Sequence, residues 1–276
     1  MTHSLVEIPQ AEWPALRDIY IEQKKFSNSY NTIQCLIEWK AASNEIDIKI
    51  YSLGGDWRRD GTYLAIMKEP VNYVFFNTLS DNHERLSIAL NKLENEPTLL
   101  FGYSKRLLPT VEKYIKNLGV RVEKANATIW FHIDKDKAKQ FEVNIPEGYK
   151  HQRLELKHAE QVNSVWPHHG PGSIIFVNRL IKFNDSIGVF DKSDNLIAWS
   201  LRLPNGSLGL VQVMDTHKRL GFGSLVVKAI SKLLAEKELE VTAPVLIDNI
   251  PSQKMFSKLG FKPIDEIYWA LVPERK

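Results

Sequence analysis

The stretch Asp215-Thr216-His217-Lys218-Arg219-Leu220-Gly221-Phe222-Gly223-Ser224 holds the residue types and spacing with the clearest chemical use. Two glycines separated by one residue let a backbone approach an anion closely. The residues that follow read as a helix, with Leu225, Val226, Ala229, Ile230, Leu233 and Leu234 on one face and Lys228, Lys232, Glu236 and Lys237 on the other. The free N–H groups and dipole of such a helix start favour negative charge. Upstream, Leu208, Leu210, Val211 and Val213 form an imperfectly alternating strand, a pattern that accommodates a bulge. Strand, Gly-x-Gly turn and helix together make a phosphate-binding arrangement. No Gly-Lys-Ser/Thr follows four variable residues, so this is not a P-loop, and the third glycine of a Rossmann fingerprint is missing. A purely structural turn would use the same two glycines, so the downstream context matters.

That context is the apolar strand Val245-Leu246-Ile247-Asp248 followed by Asn249-Ile250-Pro251-Ser252-Gln253-Lys254-Met255-Phe256-Ser257-Lys258-Leu259-Gly260-Phe261. With both motifs in this order the sequence resembles the GNAT superfamily of acyl-CoA-dependent N-acyltransferases. The superfamily's Arg/Gln-x-x-Gly-x-Gly/Ala loop matches at Gly221 and Gly223. Its later Asn-x-x-Ala-x-x-x-Tyr-x-x-x-Gly-Phe pattern matches at Asn249, Gly260 and Phe261, with Ser252 in the Ala slot and Phe256 in the Tyr slot. Within the superfamily the chain looks most like the glycine N-acyltransferase family, on residues 159–166, residues 187–190, Ala198-Trp199-Ser200 and Asn205-Gly206. The likeness is strong after about residue 155 and thin before it.

The resemblance implies an α/β fold, a GNAT-type mixed central sheet flanked by helices. It also implies acetyl-CoA or another acyl-CoA as co-substrate, no permanently bound cofactor, and a small amine such as glycine as acceptor. The backbone of Arg219, Leu220, Gly221, Phe222, Gly223 and Ser224 would hold the CoA pyrophosphate. Lys218 stands in the Arg/Gln slot, cationic but without the planar fork of arginine. Val213 and Met214 would hydrogen-bond the pantetheine arm, as would Asn249 from the end of the next strand. Ser252 is the small residue that lets the cofactor pass.

Attack of an amine on a thioester needs a deprotonated nitrogen, a polarised carbonyl and a stabilised thiolate. Phe256 has no proton to give, but a thiol pKa of roughly 8.5 lets the thiolate leave without full protonation. The strand before the loop, residues 205–212, lacks the Glu that glycine N-acyltransferases typically carry there. Asp215 and His217 are the substitute bases to consider, since His titrates near neutrality; a solvent-facing loop residue is the plainer role for His217. His168-His169, in Trp166-Pro167-His168-His169-Gly170-Pro171-Gly172, reads as an acceptor-side loop. No Cys/His or carboxylate spacing supports a metal site. Two further readings stay open: a GNAT enzyme acting on protein amines, and a CoA-binding protein with impaired catalysis.

These residues need elements to position them. The pattern predicts strands over 46–50, 62–67, 71–76 and 99–103, a helix over 82–93 with Asp81 as its cap, and a helix over 108–118 stopped by Gly119. Residues 134–147, bracketed at their end by Pro146 and Gly148, read as a linker. That places a boundary near residue 140, with an N-terminal α/β module over 1–140 and the CoA-binding module over 141–276. Residues 113–120 line up with 254–261, each a helix ending in Leu-Gly plus an apolar residue, with Trp130 or Trp269 on the strand that follows. This is either a coincidence of Gly caps or a tandem of two modules whose first copy has lost its cofactor loop.

Length and composition set the outer bounds. The chain has 276 residues, 36 Lys+Arg against 33 Asp+Glu and a net charge of +3, so no large electrostatic field is expected. Lys24-Lys25 and Arg58-Arg59 are too few for a nucleic-acid stripe. Trp13, Trp39 and Trp57 read as packing. Apolar runs such as residues 174–177 are too short to span a bilayer. The start lacks a basic region before an apolar stretch, and Glu7, Glu12 and Asp18 oppose a transit peptide. A single cysteine, Cys35, forms no intramolecular disulfide and reads as a buried small hydrophobe. The expectation is an intracellular protein, cytoplasmic rather than mitochondrial.

Overall fold

A computed structural model of the chain describes residues 4–23, 28–122 and 124–275; Lys24, Lys25 and the first three residues of the start lie outside them. Ten elements succeed one another in the first half: β1 (Leu5–Glu7), α1 (Trp13–Asp18), α2 (Ser29–Ala42), β2 (Ile48–Leu53), β3 (Tyr63–Met67), β4 (Asn72–Asn77), α3 (Glu84–Leu90), β5 (Thr98–Ser104), α4 (Leu108–Leu118) and β6 (Lys124–Ile133). After the short α5 (Lys135–Lys139) the same order recurs: β7 (Lys150–Gln152), α6 (Ala159–Ser164), α7 (Ser173–Phe183), β8 (Ser186–Phe190), β9 (Leu196–Arg202), β10 (Leu208–Val213), α8 (Phe222–Glu236), β11 (Val241–Leu246), α9 (Ile250–Lys258) and β12 (Lys262–Val272). The chain is therefore a tandem of two modules with one element order. The Leu-Gly ends are equivalent corners: α4 stops at Gly119 and α9 runs out at Gly260, with φ of +68° and +92°. Both are left-handed conformations that glycine adopts without a Cβ penalty.

The compact units do not follow a single cut near residue 140. They are Met1–Ile129 with Asp265–Lys276, and Trp130–Ile264. The reason lies in strand pairing. β12 runs antiparallel to β5, with Ile267 opposite Ser104 and Leu271 opposite Leu99, so the last strand completes the first unit.

In the first unit the strand order is β1-β2-β3-β4-β5-β12. Neighbours are antiparallel except β4 and β5, which are parallel at residues 72–74 and 98–100. Leu64, Val74, Leu86, Leu90, Leu100, Val111 and Ala270 meet in one buried cluster. Trp13, Trp39 and Trp57 are buried, as is Cys35. α3 is shorter than the expected helix over 82–93, and Asp81 is not its cap. His83 holds that position in a left-handed conformation, and the Asn82 Oδ1 accepts from Glu84 N–H at 3.1 Å.

In the second unit β10-β9-β8-β7 form a four-stranded antiparallel sheet. α8 packs across it, turning Val226, Ile230 and Leu234 inward. The stretch 134–147 is not a free linker. Asp134 caps α5 by accepting from Asp136 N–H, and Ala138 is fully buried where α5 packs on α8. A single-turn helix burying one alanine has no periodicity to read. Among the described residues no helix is long and apolar enough to cross a membrane.

Candidate functional site

β10 pairs with β9 through Gly209↔Leu201 and then Gln212↔Trp199. Two residues of β10 thus face one of β9, and Leu210 takes φ +49°. The bulge frees backbone groups of residues 210 and 211 from the ladder. β11 lies beside β10 but pairs in a different ladder, next to β6. The edge of β10 facing β11 is consequently unpaired.

Strand alternation decides which groups reach that edge. Met214 N–H donates to Ile197 O at 2.8 Å, and Met214 O accepts from His217 N–H at 2.8 Å. The N–H of Met214 is therefore taken up within the sheet and its carbonyl already accepts one hydrogen bond. Val213, one residue earlier, is opposite Ala198 and by alternation turns its N–H and C=O toward the open edge.

The loop beyond it changes hand residue by residue. Backbone φ is −63° at Lys218, +64° at Arg219 and +90° at Gly221, with Leu220 between the last two on the negative side. Left-handed residues at 219 and 221 belong to the kind of turn in which backbone N–H groups can face an anion. No side chain caps α8, so the N–H groups of Phe222, Gly223 and Ser224 keep their need for acceptors. A Cβ placed on Gly221 would meet nothing within 4 Å, and Leu220 is 63% exposed. One on Gly223 would stand 3.3 Å from Met255 Sδ and 3.6 Å from Val213 Cγ2. Gly223 therefore lets the start of α8 close on α9 and β10, while Gly221 faces outward. Phe222 anchors the loop by packing on Tyr149, with ring centroids 4.7 Å apart.

The remaining expected site residues have local partners. Asn249 caps α9, its Oδ1 accepting from Ser252 N–H at 3.1 Å. Lys218 Nζ lies 2.6 Å from Asp215 Oδ1, both side chains exposed. The His217 ring stands edge-on to Tyr149 and Phe222, with Nδ1 2.8 Å from Thr216 Oγ1. Phe256 is buried, stacked on Phe131 and edge-on to Phe261.

Beside the bulge lies a cavity of about 30 Å³, with Val162, Val165, Trp166 and Pro167 on one wall and Trp199 with residues 210–212 on the other. Neither Asp215 nor His217 lines it. Trp166 and Trp199 are visible in the sequence, but no spacing rule says they share a cavity. Tyr149 lies just past the stretch that reads as a linker, and nothing in its neighbours marks it. Among the described residues no group of three or more His, Cys, Asp or Glu is placed to hold a metal ion.

Two family models match separate stretches of the chain. Residues 186–270 match the FR47-like protein family, and residues 4–114 match a domain of unknown function, DUF5645. A Drosophila protein solved by X-ray crystallography superposes with a TM-score of 0.89 at 22% identity, over 98% of this chain and 99% of its own. A tandem GNAT protein from the clavulanic acid biosynthesis pathway superposes over 99% of both chains, with a TM-score of 0.62 at 13% identity. A GCN5-related N-acetyltransferase from Sphaerobacter thermophilus gives 0.57 at 10% identity, over 99% of this chain and 96% of its own. No curated protein matches the chain. The architecture is the GNAT acetyltransferase fold in tandem, a mixed α/β sheet with flanking helices.

Proposed function

We propose that the chain moves an acyl group from a CoA thioester to the nitrogen of a small amine such as glycine, with acyl-CoA as co-substrate. One observation carries this reading: an exposed loop of alternating hand at the uncapped start of α8, next to an unpaired strand edge. Residues 219–224 would receive the pyrophosphate on backbone N–H groups. The pantetheine arm would lie along the open edge of β10, meeting Val213 first and the bulge at Leu210 last. A strand rises about 3.3 Å per residue, so that path reaches the cavity within a few residues. Backbone N–H groups freed by the bulge are suited to polarise a thioester carbonyl. Ser252, small and half-buried, leaves room beside the path.

Two features favour a second reading, a CoA-binding protein with impaired transfer. Phe256 is buried and carries no hydroxyl, and residues 205–212 contain no carboxylate. Both readings require CoA to bind, and they separate at transfer. Purified protein is expected to gain thermal stability with CoA or acetyl-CoA, because a ligand bound only by the folded state stabilises it by mass action. It is also expected to release free thiol from acyl-CoA only when an amine is present. No thermal shift at millimolar CoA would count against both readings.

A further inference from the structure

We infer that the cavity beside the bulge receives the acyl tail of the thioester, and that Trp166 limits the acyl group to two or three carbons; the inference rests on the acyltransferase reading above. A thioester carbonyl is bonded directly to its tail, with about 1.5 Å for one C–C bond. A carbonyl held by the backbone of the bulge therefore sets its tail against residues 210–212, which form one wall of the cavity with Trp199. The lining selects the same guest. It consists of valine, tryptophan, proline and leucine with one amide, Gln212, and among the described residues that line it none carries a charge. Glycine or another zwitterionic acceptor would leave its carboxylate there without a cation, and an unpaired buried charge is costly. An alkyl tail gains from the same surroundings.

Size sets the limit. The cavity offers about 30 Å³, and one water-sized group needs roughly 10–15 Å³. About two heavy atoms beyond the carbonyl fill such a space, the methyl of an acetyl group or the ethyl of a propionyl group. A longer tail must displace a wall, and these walls are held. Trp199 is buried on β9, between β8 and β10, and Val162 of α6 is fully buried. Overfilling a packed site of this kind forces side chains off their preferred rotamers.

Trp166 differs from these two. It lies just past α6, half-buried, and its ring stacks on Phe176 of α7 with centroids 6.0 Å apart and planes 24° from parallel. Phe176 is buried, so the indole is backed by the helix core and does not swing aside for a guest. The backbone is fixed independently of the ring. Trp166 N–H donates to Asn163 O at 3.2 Å, and Trp166 O accepts from His169 N–H at 3.0 Å. Further along the turn, Gly170 N–H donates to Ser173 Oγ at 3.0 Å, and Ser173 Oγ donates to Asn163 Oδ1 at 2.7 Å. Trp166 is therefore the wall whose side chain can be removed while the turn and the sheet keep their own bonds.

The test is calorimetry on the full-length protein with free CoA and with acetyl-, propionyl-, hexanoyl- and octanoyl-CoA, a measurement that needs no acceptor. Wild type is expected to bind acetyl- and propionyl-CoA at least as tightly as free CoA. Hexanoyl- and octanoyl-CoA should bind at least about tenfold more weakly than propionyl-CoA, the lower end of what one methylene too many costs in an apolar pocket. Trp166→Ala should remove most of that tenfold or so penalty on hexanoyl-CoA while free CoA binds as before. Val165→Leu, which adds a methylene to the lining, should weaken propionyl-CoA about tenfold and leave free CoA unchanged; it decides the matter where Trp166→Ala does not fold. Wild type that binds no CoA overturns the acyltransferase reading and this inference with it. Free CoA bound, but with one affinity for every chain length or with a chain-length order that neither variant alters, overturns the acyl pocket alone. An unaltered chain-length order in Trp166→Ala with faster thiol release for bulkier amines would give the cavity to the acceptor, and the inference falls.

Discussion

Asn28 donates its side-chain N–H to the carbonyl of Gly102 on β5, which places the start of α2 at the point where β4 and β5 part. The next residue, Ser29, accepts from Asn77 Nδ2 on β4 at 2.7 Å. Arg106 closes the same place from below. It donates to Asn77 Oδ1 at 3.0 Å, to Thr78 O, and to Ser80 O at 3.4 Å, and lies 2.8 Å from His83 Nε2. In the second unit the start of α7 is turned elsewhere, Ser173 bonding to Asn163 of α6, and the edge of β10 stays open. The first module thus fills with its own polar groups the place that stays open at the edge of β10 in the second.

From that contrast one CoA per chain is expected, bound by the second module. Calorimetry on the full-length protein should give a stoichiometry near one. A fragment ending at residue 140 is a poor test, because it lacks the β12 strand that pairs with β5. The intact chain is the right sample. A stoichiometry near two would show that the contacts of Asn28 and Arg106 open for a ligand.

Gly221→Asp should weaken CoA binding by at least about tenfold, or about 1.4 kcal/mol. A carboxylate placed among N–H groups repels a multiply charged ligand, and hydrogen bonds to a charged group contribute roughly 1.5–3 kcal/mol each. Two effects on stability can be separated. Nothing lies within 4 Å of a Cβ on Gly221, so no clash threatens the fold. A φ of +90° nevertheless strains any L side chain, at a cost of about 1–2 kcal/mol. Circular dichroism should show an intact fold with a lowered melting temperature, while titration shows the lost affinity. Unchanged affinity in the folded variant would make this turn structural.

The glycine loop and α8 were legible because their signals are local: glycine spacing, then eleven or so residues of helical periodicity. The bulge was legible for the same reason, since the alternation breaks within four residues. The exchange of β12 was not. Its partner β5 lies more than 160 residues away, and nothing local tells a strand which unit it completes. Nor does the sequence mark the role of Asn28 and Ser29, because helix-capping residues and cleft-filling residues are the same types. The engaged backbone of Met214 depends on the pairing phase of β10, and the bulge that sets this phase hides it from a pattern of side chains.

Glu238 gives the structure an acid-sensitive tie. Hydrogen bonds from Lys139 and Lys135, in that order of weight, hold its carboxyl down at about 2. The pair links α5 to the end of α8. A carboxyl depressed in the folded state contributes stability above its unfolded pKa of roughly 4.3 and loses it as pH falls toward the folded value. Denaturant midpoints of wild type should therefore drop between about pH 5 and pH 2 by more than those of Glu238→Gln. Both groups are at the surface, so half-molar salt should narrow the difference. Parallel acid profiles at low salt would mean the tie adds nothing to the folded state.

Phe256→Tyr asks whether the hydroxyl of the usual tyrosine slot can be regained by one substitution. Phe256 is 2% exposed, with Phe131 and Phe261 rings 6.0 Å and 5.0 Å away. A phenol there would either stay in this aromatic packing with its hydroxyl unsatisfied, or force the ring out. The first outcome costs about 1–3 kcal/mol. Because the ring is held in the core and not at the cavity beside the bulge, thiol release with acetyl-CoA and glycine should not rise. The expected result is a lowered melting temperature with CoA affinity within about twofold of wild type and transfer no faster. A tenfold gain in transfer would show that the Tyr slot opens on the thioester after all, and that the chemistry of this chain is limited by its missing acid rather than by its base.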